Sequence, residues 1–286
     1  MVLENRIVDI FEGNNGLFKD ENAFDVHYVP ENFLFRDHQM KALASNIKPA
    51  FHGGGPIHTV ILGDYATGKT TAIKKLFEIV ENIENHIVPV YINCKTYNTK
   101  FKIYSAIFEK VFHIQPLKRG TSSTIIFDKI MKELKEKEKI VLVALDDVNY
   151  ILKNKKGQEI FHELLRAYET FQVKIGVFPI LTSLEFRYKF DKDIRTIFIP
   201  QEIIFPHYTL EEVYGILKER ACMGFYDGVI NQEILLKLSE LAVEAKNIRL
   251  GLKLLHTLGI FAENEGSSVI RVEYLNQLIK TQRKYL

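Results

Sequence analysis

Residues 63–70 read Gly63-Asp64-Tyr65-Ala66-Thr67-Gly68-Lys69-Thr70, and every fixed position of the pattern G-x-x-x-x-G-K-[ST] is filled. These residue types at this spacing make a phosphate cradle. Gly63 and Gly68 permit backbone angles and close approaches that a Cβ resists. Successive N–H groups, those of Ala66 and Thr67 among them, then surround an anion at the positive end of a helix. Lys69 supplies a cation against β- and γ-phosphate charge, and the Thr70 hydroxyl is a ligand for Mg²⁺. The expected ligand is ATP or ADP with Mg²⁺.

Such a cradle needs a second metal contact, usually an aspartate that ends an apolar strand. The run Ile140-Val141-Leu142-Val143-Ala144-Leu145-Asp146-Asp147 supplies one. Asp146 is expected to hold Mg²⁺ through water, and Asp147 to polarise an attacking water. A longer Glu normally serves in the second place. One methylene less withdraws the carboxylate by about 1.5 Å, and errors of position on that scale slow catalysis steeply. A weak ATPase with slow hydrolysis follows, with nucleotide acting mainly as a conformational switch.

Elements that would position these residues are legible around them. From about residue 57 to 205, short β-rich runs alternate with longer amphipathic stretches. The runs are Val60–Leu62, Val88–Ile92, Ile140–Leu145, Ile175–Leu181 and Ile197–Phe205. Several are apolar throughout, as strands covered on both faces of a parallel sheet must be. Between them, Ala72, Ile73, Leu76, Phe77 and Val80 share one helical face. So do Ile103, Tyr104, Ile107, Phe108 and Val111, and a third stripe is Ile160, Phe161, Leu164, Leu165 and Tyr168. The pattern predicts an α/β domain with a parallel sheet flanked by helices, over residues 1–205. After Pro206 the strand signal fades. Thr209 with Glu212 reads as a capping box, Asn231 caps a second helix, and Asn247–Phe261 and Val272–Tyr285 read as two more. A small all-helical domain is expected over 206–286. The segment Lys132–Lys139 reads as the solvated end of a helix.

Composition removes several classes of function. The 286 residues carry 38 basic and 36 acidic side chains, a net charge of +2, so contact with nucleic acid would have to come from a local patch. With 47% hydrophobic and 26% charged residues the chain is of ordinary globular composition. No apolar run reaches the roughly 18 residues needed to span a bilayer, and the early charges leave no secretory signal. Cys94 and Cys222 are the two cysteines, without partners at metal spacing. A soluble cytoplasmic protein is expected, with no membrane role.

Together these motifs resemble archaeal origin-recognition, cell-division-cycle type initiator ATPases of the AAA+ class. The likeness rests on the two phosphate-site motifs and on Tyr28-Val29-Pro30 followed by Arg36-Asp37-His38-Gln39. It also rests on the run 204–212 (IFPHYTLEE), on Ile216-Leu217-Lys218-Glu219-Arg220, and on the run 247–255 (NIRLGLKLL). The resemblance implies a AAA+ P-loop fold followed by a helical lid, with nucleotide in the cleft between them. By position it implies that Val29 and Pro30 flank the adenine, that Tyr208 and Arg220 contact the nucleotide, and that Arg249 approaches the γ-phosphate.

Three departures from the family's pattern stand out. Where the family has an Asn after the fourth strand, this chain offers Thr182 or Ser183. Asp193 stands where a finger arginine is expected, and Arg195 lies two residues later. Family members typically continue into a winged-helix DNA-binding domain, and this chain is expected to lack it. A further DNA contact is implied in the loop between the phosphate-site motifs, through Lys118 and Arg119, whose charges can neutralise backbone phosphates.

The function expected is an ATP-binding protein of DNA replication initiation, whose nucleotide state switches binding of duplex origin DNA or of other replication proteins such as a helicase. Two alternatives are a nucleotide-switched protein-interaction module without DNA binding and a clamp-loader-like AAA+ subunit. No oligomeric state is read from the sequence.

Overall fold

A computed structural model describes residues 16–114, 121–153, 155–182 and 190–282. The chain divides into two compact units. One is Arg36–His207; the other joins the described residues up to Phe35 with those from Tyr208 onward.

The first unit is a five-stranded sheet. Its strands are β1 (Thr59–Leu62), β2 (Ile87–Asn93), β3 (Ile140–Asp146), β4 (Ile175–Leu181) and β5 (Gln201–Ile204), in the spatial order β2-β3-β4-β1-β5. Every pairing is parallel. Helices α1 (Asp37–Ile47), α2 (Lys69–Ile83), α3 (Lys100–Phe112) and α4 (Ser123–Glu136) belong to this unit. So do α5 (Asn149–Leu152), α6 (Lys155–Leu165), α7 (Ala167–Phe171) and α8 (Lys192–Ile197). Helices cover the three central strands: every residue of β1, β3 and β4 is buried. The apolar stripes on α2 and α3 are buried as their 3.6-residue spacing requires. Each large side chain so placed contributes about 1.5–3 kcal/mol.

Two of the expected elements differ in detail. Ile197–Phe205 is not one strand: Ile197 ends α8, and pairing with β1 begins only at Gln201. Pro200 offers no N–H to a ladder, so the pairing starts after it. The stripe 160–168 also breaks, since a new helix starts at Ala167 and Tyr168 is exposed.

The register sets the level of the site. Leu62 pairs with Leu181 on one side and with Ile204 on the other, while Asn93 pairs with Asp146. In α/β sheets ligands bind beyond the carboxyl ends of the strands. Here those ends carry Gly63, Thr182 and Asp146, with β4 lying between β1 and β3.

The second unit contains α9 (Leu210–Gly224), α10 (Gln232–Glu244), α11 (Ile248–Asn264) and α12 (Val272–Gln282). Thr209 and Glu212 form the expected reciprocal capping box, and Asn231 and Asn247 accept from the first turns of α10 and α11. A 3₁₀ turn, Glu21–Phe24, packs on these helices. The Lys19 N–H donates to the Gly224 carbonyl at 2.7 Å. A Cβ at Gly224 would lie 2.2 Å from the Phe24 ring, so the ring fits only against a glycine. Residues 16–35, expected with the sheet domain, therefore belong with the helical unit, whose core takes Leu17 and Phe24. Among the described residues no helix is long and apolar enough to cross a membrane.

Candidate functional site

The loop after β1 is shaped by three positive-φ residues: Gly63 at φ 154°, Ala66 at 60° and Gly68 at 93°. A Cβ on Gly63 would stand 2.4 Å from the carbonyl oxygen of Phe205, so only glycine fits. Inside the loop, the Thr67 hydroxyl donates to the Asp64 carbonyl at 2.9 Å. Lys69 is buried, and its Nζ donates to the carbonyls of Gly63 at 2.8 Å and Asp64 at 2.6 Å. Its ammonium is thus held over the start of the loop. The Tyr65 N–H donates to Asp64 Oδ1 at 2.8 Å and, with His207 Nε2 at 3.3 Å from Oδ2, keeps that carboxyl below the usual range. α2 begins immediately after the loop, and Gly68 at its N-cap places no side chain on the first amides. In contrast, α3, α4, α9, α10 and α11 each have a capping side chain there.

Thr70 and Asp146, 76 residues apart in the chain, meet at this edge. The Thr70 hydroxyl donates to Asp146 Oδ2 at 2.6 Å. Asp146 is buried, and its other oxygen, Oδ1, accepts the N–H of Asp147 at 2.9 Å. Asp147 adopts φ 52° and is half-buried, so the backbone leaves the strand sharply at this residue.

A third donor on Asp146 was invisible in the sequence. The Tyr91 hydroxyl donates to the same Oδ2 at 2.8 Å. Burial, then the nearby Asp146 charge, pushes the Tyr91 phenol well above its usual range, so it stays protonated and donating. Tyr91 lies opposite Ala144 in the parallel register, and side chains two residues apart share a face. The signal exists only once β2 is known to pair with β3. Burial likewise raises the Cys94 thiol and keeps it unreactive, while the backbone N–H of Cys94 donates to the Asp146 carbonyl at 2.8 Å.

Arg36 was noted only as part of a motif, yet it is 2% exposed. Its Nε donates to the Thr67 carbonyl at 3.1 Å and Nη2 to that of Pro206 at 2.7 Å.

The structure gathers Gly63, Ala66, Thr67, Gly68, Lys69, Thr70, Asp146 and Asp147 at one sheet edge. Thr182 follows β4 at the same level, half-buried, whereas Ser183 lies outside the described residues. Lys118 and Arg119 also lie outside them. Arg195 is exposed on α8.

Val29, Pro30, Tyr208, Arg220 and Arg249 belong to the helical unit. Val29, Pro30 and Tyr208 are half-buried there. Arg220 is buried, with its guanidinium 4.4 Å from the centroid of the Tyr28 ring and Nη2 3.4 Å from the Tyr28 carbonyl. Burial lowers its pKa below the usual arginine range. Among the described residues its Nη1 has no hydrogen-bond partner although fully buried. An unpaired buried guanidinium nitrogen is costly. Arg249 is exposed in the first turn of α11, its N–H donating to Asn247 Oδ1 at 3.1 Å.

The donor set at the sheet edge fits a magnesium nucleotide. It combines uncapped helix amides, a held ammonium, and a hydroxyl and a carboxylate in contact.

A protein of Methanothermobacter thermautotrophicus called ORC1-type DNA replication protein 2 is 45% identical over 276 residues, which cover 96% of this chain and 73% of that relative. The chain belongs to the archaeal ORC1-type, Cdc6-related AAA+ family. A second ORC1-type relative, from Methanosarcina mazei, is 36% identical and is covered over 71% of its length, by 93% of this chain. The AAA domain model matches residues 54–187, and the Cdc6 AAA+ ATPase-type lid domain model matches 214–278. The ORC1-type fold is also that of solved structures. The ADP form of the ORC2 protein of Aeropyrum pernix superposes with a TM-score of 0.81 at 22% identity, over 93% of this chain and 73% of that one. The Aeropyrum pernix ORC1 protein in complex with DNA gives 0.79 at 24%, over 91% and 68%. At those identities the likeness concerns the fold. Membership makes the loop of residues 63–70 part of a nucleotide-binding AAA+ domain.

Proposed function

We propose that this chain is an ATP-binding protein of archaeal DNA replication initiation, acting in the cytoplasm, whose nucleotide state governs its binding of duplex origin DNA and of other replication proteins. The observation that carries the reading is the 2.6 Å contact between Thr70 and Asp146 at the mouth of the glycine loop. It joins the two motifs that a magnesium nucleotide requires.

The loop amides from Ala66 through Thr70 take the phosphate oxygens, and the α2 N-terminus adds its positive dipole end. Lys69 exchanges the carbonyls of Gly63 and Asp64 for β- and γ-phosphate oxygens, which as anions are stronger acceptors. Thr70 and Asp146 would hold Mg²⁺, which when bound would neutralise phosphate charge. Asp147 orients and polarises the attacking water from a short side chain, so hydrolysis is slow. Val29, Pro30, Tyr208 and Arg220 take the base and sugar side of the nucleotide. Arg249, with Ser183 or Thr182, responds to the γ-phosphate, and Arg195 stands in for the finger arginine that Asp193 replaces. Lys118 and Arg119 contact DNA phosphates.

Titrating labelled duplex DNA with ATP-loaded and ADP-loaded protein across a salt series tests the reading. Binding that weakens steeply with salt and differs between the two nucleotides is expected. Absence of binding even at low salt would remove the DNA role and leave a nucleotide-switched module for protein partners.

A further inference from the structure

Arg36 occupies a place that a packing residue would fill more cheaply. Among the described residues it is one of the largest fully buried side chains, and an ionised group taken out of water costs several kcal/mol unless its donors are paired. Its identified acceptors are backbone carbonyls of two separate segments, Thr67 within the phosphate loop and Pro206 just after β5. Its guanidinium carbon also lies 6.0 Å from the centroid of the Phe205 ring. The guanidinium holds Nε and Nη2 in a fixed planar fork aimed at the two carbonyls, a geometry that the compact ammonium of a lysine does not reproduce.

We infer that Arg36 is a positioning residue for nucleotide binding, holding the phosphate loop in its receptive shape by fixing the Thr67–Gly68 peptide against the segment that leaves the sheet unit at Pro206. The inference rests on reading residues 63–70 as the phosphate site. In a trans peptide the carbonyl and the following N–H point in opposite directions. With the Thr67 carbonyl held by Arg36, the Gly68 N–H is fixed facing away from the guanidinium. Lys69 and the Thr67 hydroxyl tie the first half of the loop through the carbonyls of Gly63 and Asp64. Arg36 ties the second half. Its other end is anchored where the loop already meets β5, since Gly63 is closed against the Phe205 carbonyl and the Phe205 N–H donates to Leu62 at 2.7 Å. Arg36 and His207 are also the first and last residues of the sheet unit, so this brace stands where the chain enters and leaves it.

The test compares the whole chain with Arg36→Met, Arg36→Lys and, as the reference for the phosphate site, Lys69→Ala. Binding of fluorescent ADP is measured at a temperature where circular dichroism shows each variant folded, and amide hydrogen exchange is followed in peptides covering 63–70 and 252–262. Arg36→Met is expected to bind ADP about tenfold more weakly and Arg36→Lys about threefold, the loss of charge-assisted hydrogen bonds converted to affinity. Exchange in 63–70 should quicken in Arg36→Met while 252–262, in the helical unit, stays as in the parent. A folded Arg36→Met that binds ADP within about twofold of the parent, against a clear loss in Lys69→Ala, would overturn the positioning role alone. Should Arg36→Met not fold, Arg36→Lys decides, and parental affinity there overturns it equally. If the parent fails to bind ADP, or Lys69→Ala binds as tightly as the parent, the phosphate-site reading falls and this inference with it.

Discussion

Thr70 and Tyr91 donate to the same oxygen, Oδ2 of Asp146, at 2.6 and 2.8 Å. The carboxylate that would face Mg²⁺ is thus oriented by a hydroxyl from the helix after the loop and by a phenol from the neighbouring strand. Groups behind a metal ligand set its orientation, and their loss typically costs 10–100-fold in metal affinity. Tyr91→Phe is therefore expected to weaken Mg²⁺-dependent ATP binding by about tenfold. Binding in excess chelator should stay at the parental level. ATP titrations with and without Mg²⁺ check this, and an equal loss in both conditions would show that Tyr91 acts through the fold.

Asp147 carries the argument for slow hydrolysis. Its left-handed backbone, φ 52°, aims the side chain from a sharp exit at the end of β3, and the side chain is one carbon short of a glutamate. Asp147→Glu is expected to raise ATP turnover, with ATP affinity little changed. Phosphate release at saturating ATP measures it. A fall in turnover would contradict the geometric account.

His58 should make the sheet unit sensitive to acid. It stands just before β1, its Nδ1 accepts the Val177 N–H at 3.1 Å, and burial pushes its pKa down to about 4. The unfolded chain holds a proton there up to about pH 6.5. Between those two values the unfolded state binds more protons, so stability is full above pH 6.5 and falls as pH drops towards 4. About 1–2 kcal/mol should be lost from pH 7 to pH 5, or roughly 3–6 °C in melting temperature. His58→Gln keeps an acceptor without a titrating proton, and its melting temperature should fall less over the same range. Parallel curves for the two proteins would remove His58 as a cause.

How much of this was legible depends on the range of the interactions. The phosphate loop, the strand before it and the helix after it are consecutive in sequence, so one motif reveals all three. Thr209, Asn231 and Asn247 cap helices by bonding amides two or three residues away, and they too were readable. Tyr91 and Arg36 were not, because their partners lie 55 residues away at Asp146, and 31 and 170 residues away at Thr67 and Pro206. A tyrosine in a strand and an arginine before a helix are ordinary until the register between distant segments is known. The fifth strand was overextended because apolar composition alone does not distinguish the end of α8 from β5. The segment 16–35 groups with the helical unit for a similar reason: its aromatic residues pack against Gly224 and Phe225, about 200 positions later.

The central claim is that residues 63–70 hold the phosphates of ATP, with Lys69 as the principal cation. Calorimetric titration of ATP into the parent and Lys69→Ala, with Mg²⁺ and with melting curves to show that both are folded, tests it most directly. Saturable binding by the parent and none detectable in the folded variant is expected. Equal affinity in the two proteins would contradict it.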